Sequence, residues 1–268
     1  MKTTKLLFFF VALFFMQNGL NAQKVEDELN RLNEKGQKTG LWKKYYPNGK
    51  LQYEGFFKKG QPSGKFLRYD PKGNKIAELD HYPSTNTVYA KMFYPEGTLK
   101  AEGKYIAKKK DSIWNFYAED GALLNKVPYD MGLKDGKELN YYREGEISEK
   151  TFWIQDKKDG KNIQYYPNGD VKIIMHYDKG VRKGVYAVYQ IDGKPVIKGN
   201  YRNNKRHGKW IYYNAEGEVE KTVEYINGVA ENQEELERLE DQQIRELEKN
   251  KGKIGDPREN IYNQIPPG

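Results

Sequence analysis

Eight glycines recur at intervals of 24 residues: Gly49, Gly73, Gly97, Gly121, Gly145, Gly169, Gly193 and Gly217. A position that is glycine in every copy marks a backbone site with positive φ, which other residues occupy only with strain. Four residues before each stands a ring: Tyr45, Tyr69, Phe93, Tyr117, Tyr141, Tyr165, Tyr189 and Tyr213. Eight residues after each come Phe57, His81, Tyr105, Tyr129, Trp153, Tyr177, Tyr201 and Tyr225, seven of the eight aromatic. Columns held in register this long define a repeat protein.

Two further columns set the local structure. An aliphatic one runs Leu51, Leu99, Leu123, Ile147, Val171 and Val219, while Ile76 and Val196 fall one residue late and predict a local bulge there. A second glycine column, Gly40, Gly64, Gly136, Gly160, Gly184 and Gly208, marks the turn between units, with Val88 and Ser112 as exceptions. Each unit therefore reads as two strands of about six residues, joined by a tight Pro-Asn-Gly-type turn and followed by a looser one. No helical run separates the strands, so neighbours should be antiparallel. The predicted fold is all-β: an elongated antiparallel meander of about eight β-hairpin repeats across residues 40–230. The third unit, with Pro83 and no turn glycine, predicts a less regular connection.

Alternation gives the sheet two faces. Leu51, Tyr53, Gly55 and Phe57 share an apolar, aromatic one; Gln52, Glu54 and Phe56 share a wetter one. The 22 Tyr, 11 Phe and 4 Trp of the 268 residues argue against a disordered chain.

The flanks differ from the array. Residues 1–22 have the pattern of a secretory signal: Lys2 and Lys5, an apolar run of 11 residues from Leu6 to Met16, then a polar stretch ending at Ala22. That run is too short to span a bilayer, which takes about 20 residues. Export to the periplasm or exterior, as a soluble chain after cleavage, is the expectation. Without cysteine, the exported chain folds without disulfides and has no residue for a lipoprotein anchor. Residues 23–39 are a polar lead-in. Residues 231–250 place Leu236, Leu239, Ile244 and Leu247 near one face and predict an acidic amphipathic helix, followed by a flexible tail over 251–268. The stretch from 231 onward carries 10 acids against 6 bases and the signal carries +2, so the total of +8 leaves +10 on residues 23–230.

The columns resemble the MORN repeat, in the bacterial variant found in proteins labelled toxin–antitoxin-associated antitoxins. Tyr45-Tyr46-Pro47-Asn48-Gly49-Lys50-Leu51, Gly55–Gly60 and Asn204–Trp210 carry the likeness, which extends over roughly 40–228. The resemblance implies a scaffold for protein contacts, and sometimes for membrane surfaces.

Catalytic chemistry finds little footing. There is no thiol, and His81, His176 and His207 lie in no catalytic motif. Glu54, Glu78 and Glu102 share a column, but adjacent units lie two strands, about 10 Å, apart. A glycosidase pair stands at most about 9.5 Å apart. The expectation is a non-enzymatic chain with no metal site and no cofactor. Binding candidates are the aromatics Trp42, Tyr46, Tyr142 and Tyr166, and the basic turn residues Lys58, Lys59, Arg182, Lys183, Lys205 and Arg206. A row of basic turns suits an acidic protein, an envelope component or an anionic membrane surface, and nucleic acid is not expected outside the cytoplasm. The alternatives are a carbohydrate-binding or carbohydrate-active envelope protein and an antitoxin-like neutralising protein.

Overall fold

The computed structural model describes residues 29–231, Arg238 and Arg245. The signal-like segment and most of the predicted C-terminal helix lie outside the described residues; Arg238 and Arg245 are helical and exposed. The described residues divide into two compact units, the first running to residue 171 and including 177–180, the second made of 172–176 and the residues from 181 onward.

The fold is all-β, with 19 strands and, among the described residues, one short 3-10 turn at Pro83–Thr85. The first unit holds β1 (Arg31–Leu32), β2 (Lys38–Tyr45), β3 (Leu51–Lys58), β4 (Gln61–Tyr69), β5 (Lys75–Tyr82), β6 (Thr87–Phe93) and β7 (Leu99–Ile106). It continues with β8 (Lys109–Tyr117), β9 (Leu123–Asp130), β10 (Leu133–Lys134), β11 (Gly136–Tyr141), β12 (Ile147–Ile154) and β13 (Lys157–Tyr165). β14 (Val171–Asp178) contributes to both units. The second unit adds β15 (Val181–Tyr189), β16 (Pro195–Arg202), β17 (Lys205–Tyr213), β18 (Val219–Ile226) and β19 (Val229–Ala230). Strands neighbouring in sequence pair antiparallel, as in β2–β3, β3–β4 and β15–β16.

All eight turn glycines have positive φ, from 79° to 102°. Each closes the same loop, in which its N–H donates to the carbonyl three residues back, as Gly49 does to Tyr46 at 2.9 Å. The other connection departs from expectation. It is the tighter of the two: a two-residue turn such as Lys59-Gly60, Gln155-Asp156 or Asn203-Asn204, with positive φ at both residues. That conformation matches strand twist, so pairing runs to the turn and most strands reach eight or nine residues rather than six.

The second glycine column is not in that turn. Gly64 lies inside β4, where Gly55 pairs with Phe66 and Phe57 with Pro62, so β4 carries the extra residues of a bulge. The two exceptions now separate. Ser112 occupies the corresponding bulge of β8 and adopts φ of 60°. Val88 lies in β6, which pairs with β5 without a break from Ala77–Met92 to Tyr82–Thr87. The predicted irregular link there is the 3-10 turn. The bulge predicted at Ile76 and Val196 is absent as a distinct feature: Lys75 and Pro195 take the place of Leu51, pairing with Tyr69 and Tyr189 as Leu51 does with Tyr45.

Opposite outcomes are therefore expected for glycine at the two exceptions. Ser112→Gly relieves a left-handed residue and should raise stability by a few tenths to about 1 kcal/mol. Val88→Gly places glycine in a regular strand and should lower it by about 1 kcal/mol. Urea midpoints moving the other way would contradict the bulge assignment.

Apart from Ala187, which lies on the opposite face, the buried hydrophobic residues lie on the aromatic face. In the first unit Trp114, 0% exposed, packs with Ala90 and Ala101. In the second, Trp210, 1% exposed, packs with Tyr225 and Ala230. Each large ring lies over a glycine on the neighbouring strand: Phe66 over Gly55, Trp114 over Gly103, Trp210 over Gly199. Where that strand has a side chain, as at Leu79, the opposing residue shrinks to Ala90.

Candidate binding groove on the charged face

The candidate aromatic and basic residues are largely used within the fold. Trp42 lies on the aromatic face, 6.0 Å from Phe57, and its indole N–H donates to the carbonyls of Arg31 and Thr39. The Tyr46 hydroxyl donates to the Tyr69 carbonyl at 2.9 Å, and the Tyr142 hydroxyl to that of Tyr165 at 2.6 Å. Tyr94 does the same to Tyr117, so these tyrosines tie one hairpin to the next. Tyr166 is the next member of their column and is half-buried.

The basic residues divide by position. Lys38, Lys110, Lys134, Lys158, Arg182 and Arg206 form a column at multiples of 24 residues whose cations lie over rings of the aromatic face. Arg206 lies 4.8 Å from the Trp210 ring and donates to the Tyr225 hydroxyl at 2.8 Å. Burial pushes the Lys110 ammonium below its ordinary value, with Lys134 adding to the effect. In this column the backbone carbonyl also accepts an N–H from the next two-residue turn, as Arg182 does from Asn204. Arg182 and Arg206 are thus half-buried parts of the fold, while Lys58, Lys59, Lys183 and Lys205 are exposed at the strand ends.

Part of the aromatic face is polar instead. Glu138 and Asn162 are buried in the column that holds Trp114, Tyr186 and Trp210 in other repeats, and Thr151 is buried in the column of Val127 and Met175. Asn162 donates to the Thr151 hydroxyl at 2.7 Å and to the Glu149 carboxylate, which also accepts from Asn140. Lys134 pairs with Glu138 at 2.9 Å. Nothing in the notion of a uniform aromatic column anticipates this cluster.

The opposite face carries the open site. A groove of about 640 Å³ lies across β5–β8, with Glu78, Asp80, Tyr89, Lys91, Glu102 and Lys104 among its walls. Strand register builds it from two rows. One runs Lys65–Asp80–Tyr89–Lys104–Asp111, the other Leu67–Glu78–Lys91–Glu102–Asn115. The groove straddles β5–β6, where the bulge is missing. Its lining also includes Ser112 and Ile113, in the bulge of β8.

Most groups in the groove are held in place. Glu78 pairs with Lys65 at 2.9 Å and with Lys75 at 3.6 Å, and Lys104 pairs with Asp111 at 3.1 Å. Glu102 accepts from the Tyr117 hydroxyl at 2.8 Å and from Asn115 at 3.3 Å. Burial, with that bond to Glu102, pushes the Tyr117 phenol up to about 12. Asp80 accepts from the Tyr82 hydroxyl at 3.0 Å. Lys91 is exposed between Glu78 and Glu102.

Hydrogen bonds from Lys65 hold the Glu78 carboxyl below its ordinary value of 4.5, and those from Lys104 hold Asp111 below 3.8. A depressed folded value means the pairing stabilises fully above the unfolded value and is lost as pH falls through the folded one. An NMR titration should place both midpoints below those ordinary values. Midpoints at or above them would show that the pairs do not persist in solution.

Among the described residues no group of His, Cys, Asp and Glu could hold a metal ion. None of their helices is long and apolar enough to cross a membrane.

The model of the MORN repeat variant matches at three places, residues 38–59, 158–179 and 206–227. Each match begins on the cation column, at Lys38, Lys158 or Arg206, and ends on the first residue of a two-residue turn. No curated protein matches the chain. Among solved structures, one similar chain is in the crystal structure of TarM, at 13% identity, covering 54% of this chain and 20% of that one, with a TM-score of 0.23. Another is in the Photorhabdus luminescens Tc holotoxin pore, at 12% identity, covering 72% and 12%, with a TM-score of 0.19. A third is in TcdB2-TccC3 without its hypervariable C-terminal region, at 11% identity, covering 70% and 12%, with a TM-score of 0.20. The chain spans a fifth or less of each. The MORN repeat variant thus matches three stretches, and the turn glycines carry the same 24-residue period through the rest of the array.

Proposed function

We propose that the chain is an exported, non-enzymatic repeat scaffold that holds a protein or other envelope component on the charged face of its first unit. One observation carries this reading: the aromatic face and its cation column are consumed by internal packing, while the open groove lies on the other face. Export rests on the signal-like pattern of residues 1–22. The non-enzymatic reading is supported by the row in which Lys91 separates Glu78 from Glu102. That places the two acids two strands, about 10 Å, apart, and Glu78 is already tied to Lys65 and Lys75.

Two variants of the full chain test the assignment against capture of envelope components from a fractionated extract. Tyr89→Ala with Lys91→Glu should reduce retention at least tenfold. Glu in place of Lys58, Lys59, Lys183 and Lys205 should leave it within about twofold, since exposed charges contribute little. The reverse pattern would move the binding surface to the basic turns, with an anionic surface as the favoured target.

A further inference from the structure

Deepening that reading, which it assumes for the location of the site, we infer that the groove binds a neutral oligosaccharide. Four features of the first unit point to this chemistry. The first is a fixed, open ring: Tyr89 is 55% exposed and is held edge-on by Tyr82 at 5.8 Å, itself 45% exposed. An aromatic face of this kind stacks against the C–H face of a sugar ring. Ile113, 58% exposed on β8, adds a second apolar side chain to the lining.

The second is the density of oriented polar groups around that ring. Asp80 and Lys104 flank Tyr89 in its own row, and Glu78, Lys91 and Glu102 stand in the next. A carboxylate offers about four acceptor positions and an ammonium three donors. The internal bonds to Asp80, Glu102 and Lys104 therefore set their orientation and leave capacity for hydroxyls, which both donate and accept.

The third is the charge balance. Three carboxylates, of Glu78, Asp80 and Glu102, line the groove with two ammoniums, of Lys91 and Lys104; Lys65 and Lys75 pair with Glu78 and Asp111 pairs with Lys104, which makes four acids and four bases. Acid and base alternate along Glu78–Lys91–Glu102, and Asp80 and Lys104 stand on either side of Tyr89, so a ligand of one sign meets like charge close to opposite charge. A polyanion or polycation gains no net attraction there, and an uncharged polyol is not penalised.

The last is pitch. Successive groups in a row are one strand apart, about 4.8 Å, close to the length of one sugar ring in an extended chain. An oligosaccharide laid across β5–β8 would set one ring against each strand, with Tyr89 under one of them.

Cellohexaose and maltohexaose serve as neutral probes, hexagalacturonate as the acidic counter-probe and a mixed-charge decapeptide as the peptide probe, each titrated into the full chain by NMR. The expected result is saturable binding of a neutral hexasaccharide, with shifts at Tyr89, Lys91 and Glu102 and at least tenfold weakening in Tyr89→Ala. Tyr89→Phe, which keeps the ring, should retain the affinity to within about threefold and reports that Tyr89→Ala fails through the ring rather than through the fold. Absence of binding by both neutral probes, binding unaffected by Tyr89→Ala, or preference for hexagalacturonate or the peptide would each overturn the inference. Loss of neutral-sugar binding alongside groove-dependent capture of an envelope protein would overturn this inference alone and leave the scaffold reading standing.

Discussion

Trp114→Ala is expected to lower stability by about 3–5 kcal/mol, the usual cost of emptying a buried large ring. Trp114 has no exposed surface, lies against Tyr105 at 4.7 Å and under the Lys110 cation at 4.9 Å, and its indole N–H donates to the Lys104 carbonyl at 3.0 Å. All of these are lost together. Gly103 is the other half of the same device. A Cβ there would lie 2.3 Å from the indole, and the buried ring has nowhere to move, so Gly103→Ala alone should cost at least about 1–3 kcal/mol. The double variant should cost less than the sum of the two, because the methyl added at position 103 meets no ring once Trp114 is gone. Additive urea midpoints across this cycle would show that ring and glycine do not act as a pair.

The polar cluster supplies the second large effect. Asn162→Leu removes the donor to both Glu149 and the buried Thr151 hydroxyl. A buried polar group stripped of its partner costs about 1–3 kcal/mol, more when it is charged, so a loss of about 2–4 kcal/mol is expected for this change of similar size. Leucine is as apolar as Phe66 or Ala90 in the same column, so hydrophobicity alone predicts a neutral or stabilising outcome. A urea midpoint unchanged or raised by Asn162→Leu would mean that the cluster finds its hydrogen bonds elsewhere.

Much of the fold was legible because one backbone requirement recurs. Gly49 and its seven counterparts announce a loop that needs positive φ, and the rings on either side announce strands. What escaped was which turn is tighter. Lys59-Gly60 and Asn203-Asn204 differ in sequence but share two positive-φ residues, and a glycine column does not expose a turn whose first position is Lys, Gln or Asn. The bulge was hidden for a related reason: Gly64 needs positive φ inside a strand, and sequence alone does not separate that from a turn.

The site was less legible than the fold. Arg182 and Arg206 read as turn charges when grouped with Lys183 and Lys205. Grouped at 24-residue spacing they separate from exposed Lys59, Lys183 and Lys205, and that spacing was the available signal. The reciprocal sizes of Gly103 with Trp114 and Leu79 with Ala90 were also present in the sequence, 11 residues apart. The groove was not. It joins side chains of β5, β6, β7 and β8, a property of several strands together. Glu78 and Glu102 were visible as a column, but Asp80, Tyr89 and Lys104 join them only through register.

The proposed function requires one face spent on packing and the other left to bind. Amine labelling of the full chain, free and after capture of envelope material, tests this directly. Lys91 should lose most of its reactivity in the complex, while Lys58, Lys59, Lys183 and Lys205 keep theirs. Protection confined to those four lysines, with Lys91 as reactive as in the free chain, would contradict it.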